Sequence, residues 1–117
     1  MTITLFVPGI LVAPSNASGW SWRERSRWAL DCRERTQAAW LMAGRPTWEG
    51  LATVTFTGYV RRRFDDDNFP GCVKPIRDMA VSLICGTDDG PNCGHEFRYA
   101  QELGHTERGV LITVTPR

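Results

Sequence analysis

Residues 52–60 alternate closely enough to impose a strand, with Ala52, Val54, Phe56 and Val60 on one face and Thr53, Thr55, Thr57 and Tyr59 on the other. The alternation then stops at the charged run Arg61-Arg62-Arg63-Phe64-Asp65-Asp66-Asp67-Asn68. Apolar residues resume at helical spacing at Val73, Ile76, Ala80, Leu83 and Ile84, which predicts a helix ending near Ile84. Pro75 is expected in the first turn of that helix, where a missing N–H breaks no hydrogen bond. The middle of the chain is therefore committed to a strand, a charged connection and a helix.

The flanks read more simply. An apolar run within Thr2–Val12 predicts a strand that ends in the turn-forming segment Pro14-Ser15-Asn16-Ala17-Ser18-Gly19. Ser21 and Glu24 have capping-box spacing, good helix formers follow to Met42, and Gly44 and Pro46 are stop signals. Trp22, Trp28 and Trp40 on this long helix are spaced like a packing surface, in the core or between subunits. Arg23, Arg25, Arg27, Arg33 and Arg35 crowd the same helix and read equally well as a solvated face. Glu96–Glu102 and Val110–Thr115 alternate, predicting a hairpin across Gly104–Gly109. The expected fold is α+β in one domain, residues 1–117, a small mixed sheet with two helices. At 42% hydrophobic residues the core is modest, and a dimer would enlarge it.

Several function classes are disfavoured. The run from Ile3 to Ala13 is short and broken by Pro8 and Gly9, so no membrane span is expected, and no basic region precedes it as in a signal peptide. Without an export signal the four cysteines read as reduced thiols, Cys32 and Cys85 buried among apolar neighbours, in a cytoplasmic protein. Cys72, Cys85, Cys93 and His95 are enough in number for zinc, but no Cys-x-x-Cys pair exists. Neither a phosphate-cradling glycine loop nor a recognisable serine–histidine arrangement is present, so no organic cofactor is expected.

Chemistry concentrates in the acids. Three adjacent carboxylates repel unless a cation or proton neutralises them. If the strand conformation continued through the run, Asp65 and Asp67 would project to one side with Cα atoms about 7 Å apart and could bracket one cation. The net charge of +1 says little, but three arginines lead directly into the acids. A divalent cation beside a cationic strip fits a phosphodiester substrate, which points to a nuclease. Lys74 is the only lysine among fourteen basic residues. It stands four residues before Asp78, a spacing at which a helix pairs them, and a second acidic pair follows at Asp88-Asp89.

These residues resemble the motif of the RusA family of Holliday junction resolvases, small endonucleases common in phages and prophages: Asp-x-Asp-Asn, a helical lysine with an aspartate four residues later, and a downstream Asp-Asp. Asp65-Asp66-Asp67-Asn68, Lys74, Asp78 and Asp88-Asp89 look like those elements, and Pro14-Ser15-Asn16 is similar to the end of the family's early strand. The resemblance covers nearly the whole chain. It implies a RusA-like homodimer that cuts symmetric strands of branched DNA, a four-way junction, in recombination and repair, in a bacterial or phage-infected cell. It further implies Mg²⁺ or Mn²⁺ held by Asp65, Asp67 and Asp89, with Asp88 the adjacent candidate, and Lys74 as catalytic lysine. On that reading Arg61, Arg62 and Arg63 bind flanking phosphates, while Asn68 and Asp78 support the site, Asn68 preferentially by capping the helix. The chain departs from the family in one interval. Lys74 follows Asn68 by six residues rather than the family's three, with Pro70-Gly71-Cys72 between. Two alternatives stand beside the nuclease: a RusA-like junction-binding protein whose catalysis is lost through that displacement, and a protein–protein module built on the tryptophan helix.

Overall fold

The alternating face read from residues 52–60 becomes the floor of a mixed four-stranded sheet in order β1-β4-β2-β3. The computed structural model describes residues 1–9, 11–12 and 19–117; Pro14-Ser15-Asn16 lies outside them. The elements are β1 (Ile3–Pro8), α1 (Trp22–Met42), β2 (Ala52–Tyr59), α2 (Phe69–Cys85), β3 (Glu96–Glu102) and β4 (Gly109–Pro116). Among the described residues the fold is α+β with two helices, as expected.

Alternate residues of three strands, Ile3, Leu5 and Val7, Ala52, Val54 and Phe56, and Val110, Ile112 and Val114, join Cys32 of α1 and one stripe of α2 in a single core. That α2 stripe takes Val73, Ile76, Ala80 and Ile84 from the helical periodicity of the sequence and adds Phe69, while Leu83, expected with them, is half-buried and outside the core. α1 packs on α2 and β1 but buries only Cys32 and Thr36 fully, because its sequence is charged almost all round. Its capping box forms: Glu24 N–H donates to Ser21 Oγ and Ser21 N–H to Glu24 Oε1, both at 3.2 Å. Trp28 and Trp40 pack against the core, whereas Trp22 is 78% exposed and takes no part in it.

The expected β3–β4 hairpin does not form. β4 pairs antiparallel with both β1 and β2, and β3 pairs parallel with β2. Burial decides this: Val110, Ile112 and Val114 are fully covered, which a central strand with two neighbours achieves, while Glu96, Arg98 and Glu102 of β3 suit an edge. The unit β2–α2–β3 is then a parallel crossover through a helix. A second expectation also changes. Pro75 lies inside α2, not in its first turn, and the helix continues through it from Phe69 to Cys85. Pro75 is itself buried, so packing outweighs the hydrogen bond it cannot make. Gly58 sets the depth at which α2 starts. A Cβ there would stand 2.5 Å from the Phe69 ring, so only glycine lets that ring lie on β2.

Candidate functional site

The inner side of edge strand β3 presents Phe97, Tyr99 and Gln101, and two of these hold separate parts of the predicted motif. Gln101 clasps the backbone of Phe64: Phe64 N–H donates to Oε1 at 2.8 Å and Nε2 donates to Phe64 C=O at 2.9 Å. The Phe64 ring packs on Phe69, so the residue entering the acidic run is fixed at backbone and side chain alike. Two residues earlier, the Tyr99 hydroxyl accepts from Arg77 Nη1 at 2.5 Å, and the guanidinium lies 5.2 Å from the Phe97 ring centre.

Arg77 then meets Asp89, Nε to Oδ2 at 2.7 Å. The same Asp89 oxygen receives Lys74 Nζ at 3.1 Å, and Lys74 also reaches Asp78 Oδ1 at 2.6 Å. Lys74, Arg77 and Asp78 come from one face of α2 and Asp89 from the loop after it. The structure brings Lys74, Asp78 and Asp89 together despite the longer interval from Asn68. It also separates the two downstream acids. Asp88 is exposed and accepts from Gly90 N–H at 2.9 Å, closing its own turn, while Asp89 keeps only 15% of its side-chain surface exposed.

The first acidic group behaves otherwise. Residues 66–68 form a turn instead of continuing β2, because the Asp65 carbonyl accepts from Asn68 N–H at 2.9 Å and Phe69 N–H at 3.0 Å and so begins the helix. The extended geometry expected for Asp65 and Asp67 is therefore absent. Both are exposed, and Asp66 pairs with Arg63 at 3.3 Å. Asn68 occupies the N-cap position of α2 but its side chain makes no capping hydrogen bond, against expectation; its carbonyl accepts from Cys72 N–H and Sγ, each at 3.3 Å. Arg61 and Arg62 are exposed and make no ion pair among the described residues.

The electrostatics follow from the contacts. Asp78 and Asp89 titrate as a pair. The hydrogen bond from Asp78 holds Asp89 far below the usual carboxylate range, burial opposes this, and Arg77 and Lys74 reinforce it. Asp78 moves up, first through burial and then through its neighbour Asp89. Its hydrogen bond to Asp78 raises the Lys74 pKa, so the ammonium is a permanent cation at neutral pH and not a base. Burial pushes the Cys72 thiol up to about 11 and raises Cys32 and Cys85, which makes all three poor nucleophiles. Cys85 is half-buried, not buried. Both ring nitrogens of His95 are engaged, Nδ1 by Ala52 N–H at 3.2 Å and Nε2 with the Thr87 hydroxyl at 3.1 Å.

By donor type, the aspartates suit a hard divalent cation. By position they do not yet make a centre for one: among the described residues no three His, Cys, Asp or Glu side chains converge. What converges is two carboxylates with an ammonium and a guanidinium, a charge-balanced cluster. Arg77, Tyr99 and Gln101 did not stand out in the sequence; the alternation of β3 marks Tyr99 and Gln101 as sharing a face but cannot say what that face meets. No protein-family model matches the chain, and no curated protein matches it either.

Proposed function

We propose that this protein is a metal-dependent, structure-selective endodeoxyribonuclease acting on branched DNA, a four-way junction above all, as a homodimer whose two sites cut symmetric strands. The observation that carries the reading is the meeting of Lys74 with Asp89, fifteen residues downstream, through direct contact at 3.1 Å. The chain's only lysine, the aspartate one helical turn beyond it and one member of the Asp88-Asp89 pair thus form one cluster, the combination that the RusA resemblance implies.

In this reading Lys74 supplies a fixed positive charge to a phosphate, whose oxygens compete with Asp78 for the ammonium. Arg77 and Tyr99 hold Asp89 in place, and Gln101 holds the start of the Asp65–Asp67 turn. Arg61, Arg62 and Arg63 contact flanking phosphates, positioning the strand without reading its sequence. Asp65, Asp67 and Asp89, with Asp88 adjacent, would hold Mg²⁺ or Mn²⁺, which would supply an acidified water and neutralise charge on the scissile phosphate.

The test is nicking of a synthetic four-way junction with Mg²⁺ or Mn²⁺, beside linear duplex, an EDTA control and Asp67→Asn protein. Nicking of the junction alone, lost in EDTA and reduced at least about 100-fold by Asp67→Asn, is expected. Equal cutting by Asp67→Asn overturns the site assignment. One observation favours a second reading, a junction-binding protein without cleavage: Asp89 is already engaged by both Arg77 and Lys74. Tight junction binding with no nick in either metal would select it.

A further inference from the structure

Beyond the last residue of β2, Val60 N–H donates to Glu102 C=O at 3.0 Å, and the chain then bends at Arg61 and Arg62. Beside it lies a cavity of about 630 Å³ walled by Arg61, Arg62, Arg63 and, from the β3–β4 loop, Arg108. No acidic residue lines it among the described residues. Arg63 pairs with Asp66, which leaves Arg61, Arg62 and Arg108 as positive charges around the concavity with no carboxylate in its lining, and an anion relieves their repulsion. Arg108 is preset for the task, since its Nη1 donates to the carbonyls of His105 and Glu107 in its own loop. The rest of the lining is of another kind: Leu11 and Phe64, both half-buried, give apolar surface over the buried Val60, Thr106 adds a hydroxyl, and the Tyr59 ring stands at the side, stacked on His105 at 3.6 Å between ring centres.

A cationic wall around an apolar and aromatic floor has the chemistry of a nucleotide, with phosphate for the first and base for the second. We propose that this cleft seats an unpaired deoxynucleotide of a DNA strand, its flanking phosphates on Arg61, Arg62 and Arg108 and its base on the floor beside Phe64. The proposal rests on the reading of the partner as DNA and adds that the protein binds an unstacked strand there. A duplex keeps its bases stacked and paired, so it can offer the rim phosphates but nothing to the floor. Arg63 also borders a neighbouring recess with Asp66, Phe69, Tyr99 and Gln101, and Tyr99 leads through Arg77 to Asp89.

The test is binding of a fluorescein-labelled decathymidylate to the full chain in EDTA, followed by anisotropy across a salt series, beside a ten-base-pair duplex. Single strand is expected to bind at least about tenfold more tightly than duplex, because only it can fill the floor. Arg108→Ala should weaken it about tenfold. The double variant Arg61→Ala/Arg62→Ala should flatten the slope of log affinity against log salt by about 1.4, two phosphate contacts at about 0.7 each. Both residues are exposed, so this variant keeps the assay informative even if Arg108→Ala misfolds. Equal affinity for duplex, or an unchanged slope, overturns the proposal. Displacement of the oligonucleotide by thymidine monophosphate or inorganic phosphate at equal molar concentration also overturns it, in favour of a small-anion site. Because EDTA suppresses cleavage, the two readings fail separately: absent nicking leaves the binding result standing, and intact nicking with no single-strand preference removes the cleft alone.

Discussion

The two acidic groups of this chain have similar composition and opposite surroundings. Asp65–Asp67 lies exposed on a turn at the start of α2, with Asp66 alone in an ion pair, whereas Asp89 is enclosed by Arg77, Lys74 and Asp78. The difference teaches that the downstream acid is a structural member of the fold as well as a candidate ligand, and the upstream acids are free of that duty. An exposed aspartate contributes little to stability, while an enclosed one leaves its partners uncompensated when removed.

The sharpest way to break the contrast is to delete one acid from each group. Asp89→Ala should cost about 2–4 kcal/mol in urea unfolding, since it leaves the largely buried Arg77 without its carboxylate while Lys74 keeps Asp78, and Asp67→Ala should change stability by less than about 0.5 kcal/mol. Equal losses would mean that the enclosure carries no energy. Next in size, Gly58→Ala forces the Phe69 ring off β2 and should cost about 1–3 kcal/mol while disturbing the acidic turn that follows Phe64. An unaltered melting temperature would show that α2 can shift freely. Gln101→Ala removes both hydrogen bonds to Phe64 and should cost about 1–2 kcal/mol, with amide exchange accelerating at residues 64–69 and not at Asp89. Faster exchange at both places would dissolve the distinction between the two groups.

The smallest effect is a pH dependence. Asp89 has a folded pKa below its unfolded value, so the stability it contributes is present above about pH 4 and is lost only as pH falls into strong acid. Asp78 is opposite in sign: its folded pKa is raised, so its ionisation destabilises the fold at neutral pH and that penalty disappears on acidification through the raised value. Asp78→Asn cannot titrate, and the difference in melting temperature, variant minus wild type, should therefore shrink as pH falls from 7 toward 4. A difference that grows instead would place the shared proton on Asp89.

Much of the fold was legible because it rests on local periodicity. The β2 alternation, the Ser21–Glu24 box and the α2 stripe each depend on spacing alone, and each formed where spacing put it except at Leu83, which stays outside the core. The hairpin failed because alternation identifies strands but not neighbours; total burial of Val110, Ile112 and Val114 drew β4 between β1 and β2. In the site, the Lys74–Asp78 pair followed from four-residue helical spacing. The extended Asp65–Asp67 geometry did not occur, because the Asp65 carbonyl recruits the N–H groups of Asn68 and Phe69 and starts a helix.

Sequence alone carried the element types, the core face of β2, most of that of α2 and the residue types available for phosphate and cation chemistry, since these depend on side-chain chemistry and on fixed helical and strand periods. Only the tertiary structure decided that β3 lies parallel to β2 at the edge, that Tyr99 and Gln101 hold two separate segments, and that Asp89 rather than Asp88 faces Lys74. Contacts between residues far apart in the chain are selected by which packing buries the most apolar surface and leaves the fewest polar groups unpaired, a comparison that no local pattern contains.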